Sequence, residues 1–231
     1  MGGRGAGYNP PTGNSKERYS KNSVGTRVFD TVKGALGEKG KSIDMNKAYQ
    51  DANPNYNPRG YDEYTKNCQR CVVAYELRRR GYDVTAQPTY KGDTLPQVVR
   101  IDNEGRKWGK WQGAFRHARP ESVKAKTSDG VVKNIQDKMR GWGDGSRAVV
   151  SITYRNPATG RKLRQGHVFN VEQRKGTTYF VDAQDGSRIR AKEFFEITDR
   201  STVTITRTDN LRISDRAKYF VTSENSYKRR R

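Results

Sequence analysis

Two β-rich runs that follow each other closely constrain the fold of this 231-residue chain more than any other feature: GHVFNVEQ (166–173) and TTYFVDAQ (177–184). Both are rich in β-branched and aromatic residues, and the short loop between them predicts an antiparallel hairpin. A four-residue loop (173–176) would pair Glu172 with Thr177 and set His167 directly opposite Asp182. Opposed Cβ atoms lie about 4.5–5.5 Å apart, so a carboxylate there can hold an imidazole. A loop of three or five residues would turn one of these side chains to the other face, and that alternative stays open.

Both cysteines lie in the segment NCQRCVVAYELRRRG, three residues apart. Asn67 is a favourable N-cap and Gly81 a favourable C′ residue, so the segment predicts a helix that begins beside Cys68. The N–H groups and the dipole of the first turn favour a thiolate at Cys68. Cys71 shares a helix face with Tyr75, which is typical of a buried, inert thiol.

Three kinds of site are compatible with a pair of cysteines. A structural zinc site needs four ligands, and the spacing of the two cysteines from His117 and His167 fits no familiar zinc finger. A redox pair is expected in a βαβ context, whereas the residues before this helix read as loop. A nucleophile needs a base and an orienting acid, and the order Cys68, His167, Asp182 supplies them. We therefore expect a cysteine nucleophile, with no cofactor and no metal; His117 has no comparable partner nearby in sequence.

The remaining segments predict an α+β fold in which helices come first and an antiparallel meander follows. Helices are predicted at 26–36, 44–52, 129–139 and 191–197, and further strands at 83–88, 147–154 and 201–207; residues 95–120 fit no class. We divide the chain into a flexible Gly/Pro/Asn-rich arm (1–25), a helical extension (26–60), a catalytic domain (61–222) and a basic tail (223–231).

The net charge of +21 predicts attraction to anionic partners. The cations include the clusters ELRRR and SYKRRR, but no base-reading motif accompanies them, so only non-specific, salt-sensitive contact with DNA or another polyanion is expected.

No apolar run is long enough to span a membrane, and the N-terminus lacks the apolar region of a Sec signal. We expect synthesis in the cytoplasm, with delivery as an effector or packaging in a phage particle both open.

Three motifs between about residues 62 and 190 resemble the papain-fold toxin family: N-C-x-x-C at the helix start, G-H-x-F-N in the first strand and D-x-Q-x-G at the end of the second. That family includes glutamine deamidases of bacterial polymorphic toxins and is similar to the deamidase domain of mitogenic and dermonecrotic toxins. The resemblance implies a papain-like cysteine hydrolase fold with Cys68 as nucleophile, His167 as general base and Asp182 as orienting acid. Asn67 and Gln184 would support them. The opening MGGRGAG is similar to arms on phage-encoded head-associated proteins.

The expected function is therefore that of a cysteine-dependent amidohydrolase acting on a host or target-cell protein, with glutamine deamidation favoured by the resemblance. A papain-like protease or a transglutaminase-like enzyme would use the same three residues. The alternative from another class is a non-enzymatic, virion-associated or nucleic-acid-binding protein in which the positive charge is the functional feature.

Overall fold

The computed structural model of the chain describes residues 36–60, 63–89 and 110–223. The helices of this part are α1 (Met45–Gln50), α2 (Cys68–Arg79), α3 (Ser128–Trp142) and α4 (Ala191–Glu196), with 3₁₀ turns at Trp111–Ala114, Arg200–Thr202 and Asp215–Tyr219. The strands are β1 (Val84–Ala86), β2 (Glu121–Ser122), β3 (Arg147–Arg155), β4 (Lys162–Arg174), β5 (Thr177–Asp182), β6 (Ser187–Arg188), β7 (Thr204–Arg207) and β8 (Val221–Ser223). The predicted arm, the helix expected at 26–36 except for Leu36, and the tail beyond Ser223 lie outside the described residues.

A six-stranded antiparallel sheet in the order β2-β7-β3-β4-β5-β6 forms the centre, and β1 pairs with β8 in a separate ribbon. Alternating residues of β3 and β4 divide between two cores, as the two-residue period of a strand requires. Val149 and Val168 pack with α2, whereas Val150 and Phe169 pack with α3 and α4. A central sheet with helices on both faces confirms the predicted α+β class.

The helix that carries both cysteines ends as the sequence predicts. Gly81 adopts φ 96°, and its N–H donates to Arg78 O while Tyr82 N–H donates to Leu77 O. This is the Schellman arrangement, in which glycine at C′ leaves the helix without strain. At the other end, Asn67 occupies the N-cap position, but its side chain makes no capping hydrogen bond. That side chain is used elsewhere, as described below.

Two buried clusters of charge fix α2 to the sheet. Glu172 of β4 is 1% exposed and accepts hydrogen bonds from Arg79 Nε and Nη2, at 2.8 and 2.7 Å. It also accepts a hydrogen bond of 2.5 Å from the Tyr75 hydroxyl. The second cluster is centred on Glu76 of α2, which is paired with Arg80 at 2.7 Å and with Arg147 of β3 at 2.8 Å. The arginines of ELRRR are therefore structural, and this cluster does not form the polyanion-binding patch that charge alone would suggest.

The hairpin register differs from the predicted one by two residues. β4 and β5 are joined by a two-residue turn, in which Lys175 and Gly176 have φ 49° and 75°, and Arg174 pairs with Thr177. Positive φ at both positions is the type I′ conformation that suits a tight hairpin. The predicted four-residue loop and the direct pairing of Glu172 with Thr177 and of His167 with Asp182 are wrong. A shift of two preserves the parity, so these two side chains still share a face and meet as diagonal neighbours.

Residues 36–60, which precede the predicted catalytic domain, contribute to the same core as α2. Leu36, Met45 and Ala48 are almost fully buried in the cluster that contains Cys71 and Val73. The predicted helix at 44–52 is confirmed as α1, and its N-cap Asp44 accepts from Asn46 N–H at 2.8 Å.

Candidate active site

Cys68, His167 and Asp182 meet where the first residue of α2, the middle of β4 and the last residue of β5 converge. His167 Nε2 lies 2.6 Å from Asp182 Oδ2. The Cys68 thiol lies close enough to the ring to help raise the pKa of His167. Because Nε2 is engaged by Asp182, Nδ1 is the ring nitrogen left to interact with the thiol. The three predicted residues thus lie together, with the imidazole hydrogen-bonded to the carboxylate and the thiol beside the ring.

The electrostatics of this chain favour a protonated ring. Burial by itself would lower the pKa of His167, which is 8% exposed. Hydrogen bonds to Asp182 and Cys68, with the negative charges of both partners, outweigh burial and raise the pKa from 6.5 to about 10. An imidazolium is therefore favoured at neutral pH.

Aromatic side chains wall the histidine on the side of α4. The His167 ring stacks on Phe169 at a centroid distance of 6.4 Å and lies 6.2 Å from the ring of Phe194. Tyr154 lies close enough to respond to the site: burial, followed by the charges of Asp182 and Cys68, raises the pKa of its hydroxyl to about 12. This apolar wall keeps water from the imidazole–carboxylate hydrogen bond and strengthens it.

The second cysteine has a different environment. Cys71 is fully buried, and burial raises the pKa of its thiol well above the ordinary value. Its Sγ donates to Asn67 Oδ1 at 3.2 Å. Cys71 therefore behaves as the small buried hydrophobe that the helix pattern predicts, and Cys68 is the thiol that contacts the histidine.

A cluster of three amides joins the start of α2 to the turn that follows Asp182. Asn67 and Asn53 exchange two hydrogen bonds, of 3.0 and 3.2 Å, and Gln184 Nε2 donates to Asn67 Oδ1 at 3.4 Å. Asn53 Nδ2 also donates to the main-chain oxygen of Gln184 at 2.8 Å, and Gln184 N–H donates to Asp182 Oδ1 at 2.9 Å. The amides thus hold the carboxylate turn against the nucleophile helix.

Asn53 is the site residue that the sequence interpretation missed. It lies in the NPNYN stretch, whose composition indicates a turn and nothing more. Asn67 and Gln184, both predicted as supporting residues, are in the cluster. The amide of Asn67 is committed to Asn53 and to Gln87 O at 3.1 Å, which explains why it does not cap the helix.

Comparison with family models matches residues 66–187 to papain fold toxin 1, glutamine deamidase. The matched region is more than half of the chain and contains all three motifs. The chain belongs to this family. No significant match is found among curated proteins or among solved structures.

Membership of the papain-fold deamidase family confirms two predictions: the resemblance drawn from the three motifs, and the papain-like α+β fold. The matched region begins just before Cys68 and ends just after the Asp182 turn. Asn53 and α1 precede it, although both contact residues 184–188 within it. Gly186, in the Asp182 turn, lies against Gln50 of α1, and Arg188 donates to Asn46 at 3.0 Å.

The described residues offer no other centre of obvious chemistry. Over these ranges, no group of three or more His, Cys, Asp or Glu side chains could hold a metal ion. His117 is exposed, with φ 60°, and remains outside the site. None of the described helices is long and apolar enough to cross a membrane.

Proposed function

We propose that the protein is a toxin or effector enzyme that deamidates glutamine side chains of a protein substrate, with Cys68 as nucleophile, His167 as proton carrier and Asp182 as the orienting acid. The observation that carries the proposal is the 2.6 Å contact between His167 and Asp182, with the Cys68 thiol beside the same ring. Membership of a family of glutamine deamidases selects the carboxamide as the group attacked.

The first half-reaction forms a thioester. With the proton held on His167, Cys68 attacks the side-chain carbonyl carbon of glutamine as a thiolate. The developing oxyanion needs donors near the sulfur. Arg70 and Cys71 N–H groups donate to Asn67 O, so the remaining first-turn N–H groups, those of Cys68 and Gln69, are the donors that the helix leaves for it. The imidazolium then protonates the departing nitrogen, and ammonia leaves.

The second half-reaction releases the product. Water replaces ammonia, gives a proton to His167 and attacks the thioester carbonyl. The C–S bond breaks, the thiolate leaves beside the protonated His167, and the glutamine has become glutamate. The balance is carboxamide plus water to carboxylate plus ammonium, with no cofactor consumed.

Asp182 acts by holding the ring and leaves the proton transfers to His167. The 2.6 Å contact with Nε2 favours the tautomer that carries its proton on Nε2 and leaves Nδ1 free for the thiol, and it stabilises the imidazolium in both half-reactions. The Gln184 N–H bond to the other carboxylate oxygen, at 2.9 Å, keeps Asp182 in that position. Asn67 and Gln184 thereby support the site without contacting the reacting atoms.

Ammonia release from glutamine-containing proteins and peptides tests the proposal. Cys68→Ala should abolish release, and Asp182→Asn should lower kcat by about 10⁴-fold because the amide stabilises the wrong tautomer. Cys71→Ala is the matched control: it should mainly affect packing and retain turnover, at a cost of about 1–2 kcal/mol in unfolding free energy. Activity in a folded Cys68→Ala variant, or a near wild-type rate in Asp182→Asn, would refute these roles.

Mass spectrometry of the products separates deamidation from the other amide chemistries of the same three residues. Deamidation converts a glutamine to glutamate in an intact chain, proteolysis cuts the chain, and transamidation adds an amine. A protein that produces none of these with any glutamine substrate would instead fit the non-enzymatic alternative.

A further inference from the structure

A basic, unpaired strand edge leads directly into the candidate active site. β4 begins at Lys162 and reaches His167 five residues later, but β5 pairs with β4 only from Asn170 to Arg174. Within the described residues, the stretch of β4 before Asn170 therefore has β3 on one side and no strand on the other. An unpaired edge presents backbone N–H and C=O groups that can accept an added strand.

The side chains at this edge carry charge of one sign. Arg161, Lys162 and Arg164, the three residues that we name the basic edge, are exposed, and none forms an ion pair within the described part of the chain. The sequence has no Asp or Glu between residues 154 and 171. Arg155, at the base of the same hairpin, donates to Glu196 O at 2.9 Å and is not part of the basic edge.

The edge is held in a fixed place relative to the histidine. Asn156 closes the hairpin tip: its N–H donates to Arg161 O at 2.7 Å, and its Oδ1 accepts from Ala158 and Thr159 N–H. Gly166, next to His167, lies so close to β3 that a Cβ there would be 2.5 Å from Ile152 O. At about 3.3 Å per strand residue, Arg164 is about 10 Å along the strand from His167.

We propose that the basic edge docks an extended acidic segment of the protein substrate, which adds to β4 as a strand and carries its glutamine to Cys68. This inference rests on the proposed function and names the substrate class: a glutamine with acidic residues about three to five positions away on one side. A polypeptide is favoured over nucleic acid because the edge ends at a site for attacking carboxamides, which nucleic acid backbones lack.

Kinetics with three peptides test the docking. Each has one central glutamine, with three glutamates on its N-terminal side, three on its C-terminal side, or none. One acidic peptide should have a kcat/KM about tenfold above the neutral one, and Arg161→Glu/Lys162→Glu/Arg164→Glu should remove that preference. The preference should also fall as salt rises, because exposed charges are screened.

A charge-matched triple variant provides the control. Arg119→Glu/Lys124→Glu/Lys126→Glu reverses three exposed cations around β2, at the opposite end of the sheet from β5 and β6. It has the same net charge as the basic-edge variant and should keep the preference. Equal kcat/KM for all three peptides, or the same loss in both triple variants, would overturn the proposal.

Binding separates the docking from the chemistry. Fluorescence anisotropy of labelled peptides on Cys68→Ala should show tighter binding of the same acidic peptide, with that gain lost when the basic edge is also reversed. If no peptide yields ammonia but this binding pattern holds, the proposed function fails and the docking stands. If ammonia is released but the binding pattern is absent, the docking fails and the proposed function stands. Duplex DNA that competes at the basic edge while acidic peptides show no preference would overturn the docking and assign the edge to nucleic acid.

Discussion

At the scale of single residues, His167 connects the candidate chemistry to the pH dependence of stability. Its pKa is raised from 6.5 to about 10 in the folded protein by Asp182 and Cys68, against the effect of burial. A raised pKa means that the folded state binds the proton more tightly than the unfolded state does. The resulting stabilisation is complete below about pH 6.5 and is lost as pH rises through about 10.

Urea unfolding of the wild type and of His167→Asn across this range tests the linkage. The difference in unfolding free energy between the two proteins should be constant at low pH and shrink steadily from pH 6.5 to about 10. A difference that stays flat over the whole range would show that the ring is not held as an imidazolium.

The three candidate site residues could be proposed from sequence because each stands at a position with its own signal. A helix start marks Cys68, and a strand followed by turn chemistry marks His167 and Asp182. The predicted register was wrong by two residues, yet the pairing survived because a shift of two keeps the face. Asn53 had no such signal, since its role depends on a long-range contact with Asn67.

At the scale of elements, α2 must be held against β4 for the thiol to meet the imidazole. Glu172 and Arg79 supply one such tie in a buried, bidentate geometry. Glu172→Ala should cost about 3–5 kcal/mol in unfolding free energy, because it leaves a largely buried guanidinium unpaired. Glu121→Ala, which removes a partly exposed pair with Lys138, should cost about 0–1 kcal/mol.

Denaturant unfolding of both variants measures this contrast. A small effect of Glu172→Ala would mean that water or another acid compensates Arg79. The double variant Arg79→Met/Glu172→Gln should recover part of the lost unfolding free energy, since removing both charges leaves no unpaired ion.

The approach of β4 to β3 beside His167 requires a glycine. Gly166→Ala should destabilise the protein and misplace His167, because the new Cβ would lie 2.5 Å from the Ile152 carbonyl oxygen. Gly141→Ala, in the exposed last turn of α3 with open space around it, should instead stabilise by about 0.5–1 kcal/mol. Melting temperatures of the two variants should therefore move in opposite directions; a neutral Gly166→Ala would show that the strands can separate locally.

Most elements were predictable because their patterns are strong. Val131, Ile135 and Met139 recur at helical spacing and are buried in α3 as expected. The tight turn at Lys175 and Gly176 was missed because lysine is not a usual residue for positive φ, so the glycine alone gave a weak signal. Residues 95–120 show no hydrophobic periodicity, so the sequence predicted no element there. The described part of that stretch, 110–120, consists of the 3₁₀ turn Trp111–Ala114 and short loops.

At the scale of the whole molecule, residues 36–60 share a core with α2 and hold the Asp182 turn through Asn53. A chain that begins at residue 61 should therefore lose cooperative unfolding and ammonia release, although it retains the family match. Removal of residues 1–25 alone, the segment that composition predicts to be a flexible arm, should leave the melting temperature unchanged. Circular dichroism melts of the two truncations measure the contrast, and a folded, active chain from residue 61 would contradict it.

The net charge of +21 gave the least reliable guidance, because charge counts do not show which cations are paired. Arg78, Arg79 and Arg80 form the most basic run of the described chain and are all engaged with acids or carbonyl oxygens of the fold. Lys162 and Arg164, in the shorter basic edge, are exposed instead. Which arginines bind partners thus depends on tertiary contacts that composition cannot report.

Labelling with an electrophilic glutamine analogue tests the central claim, that His167 and Asp182 activate Cys68 toward carboxamides. The protein is treated at neutral pH with a diazoketone analogue of glutamine, digested and mapped by mass spectrometry. The label should appear on Cys68 and not on Cys71, much faster than on a free thiol, and it should be nearly lost in His167→Asn. Labelling of Cys68 no faster than a free thiol, or equally fast without His167, would contradict the account.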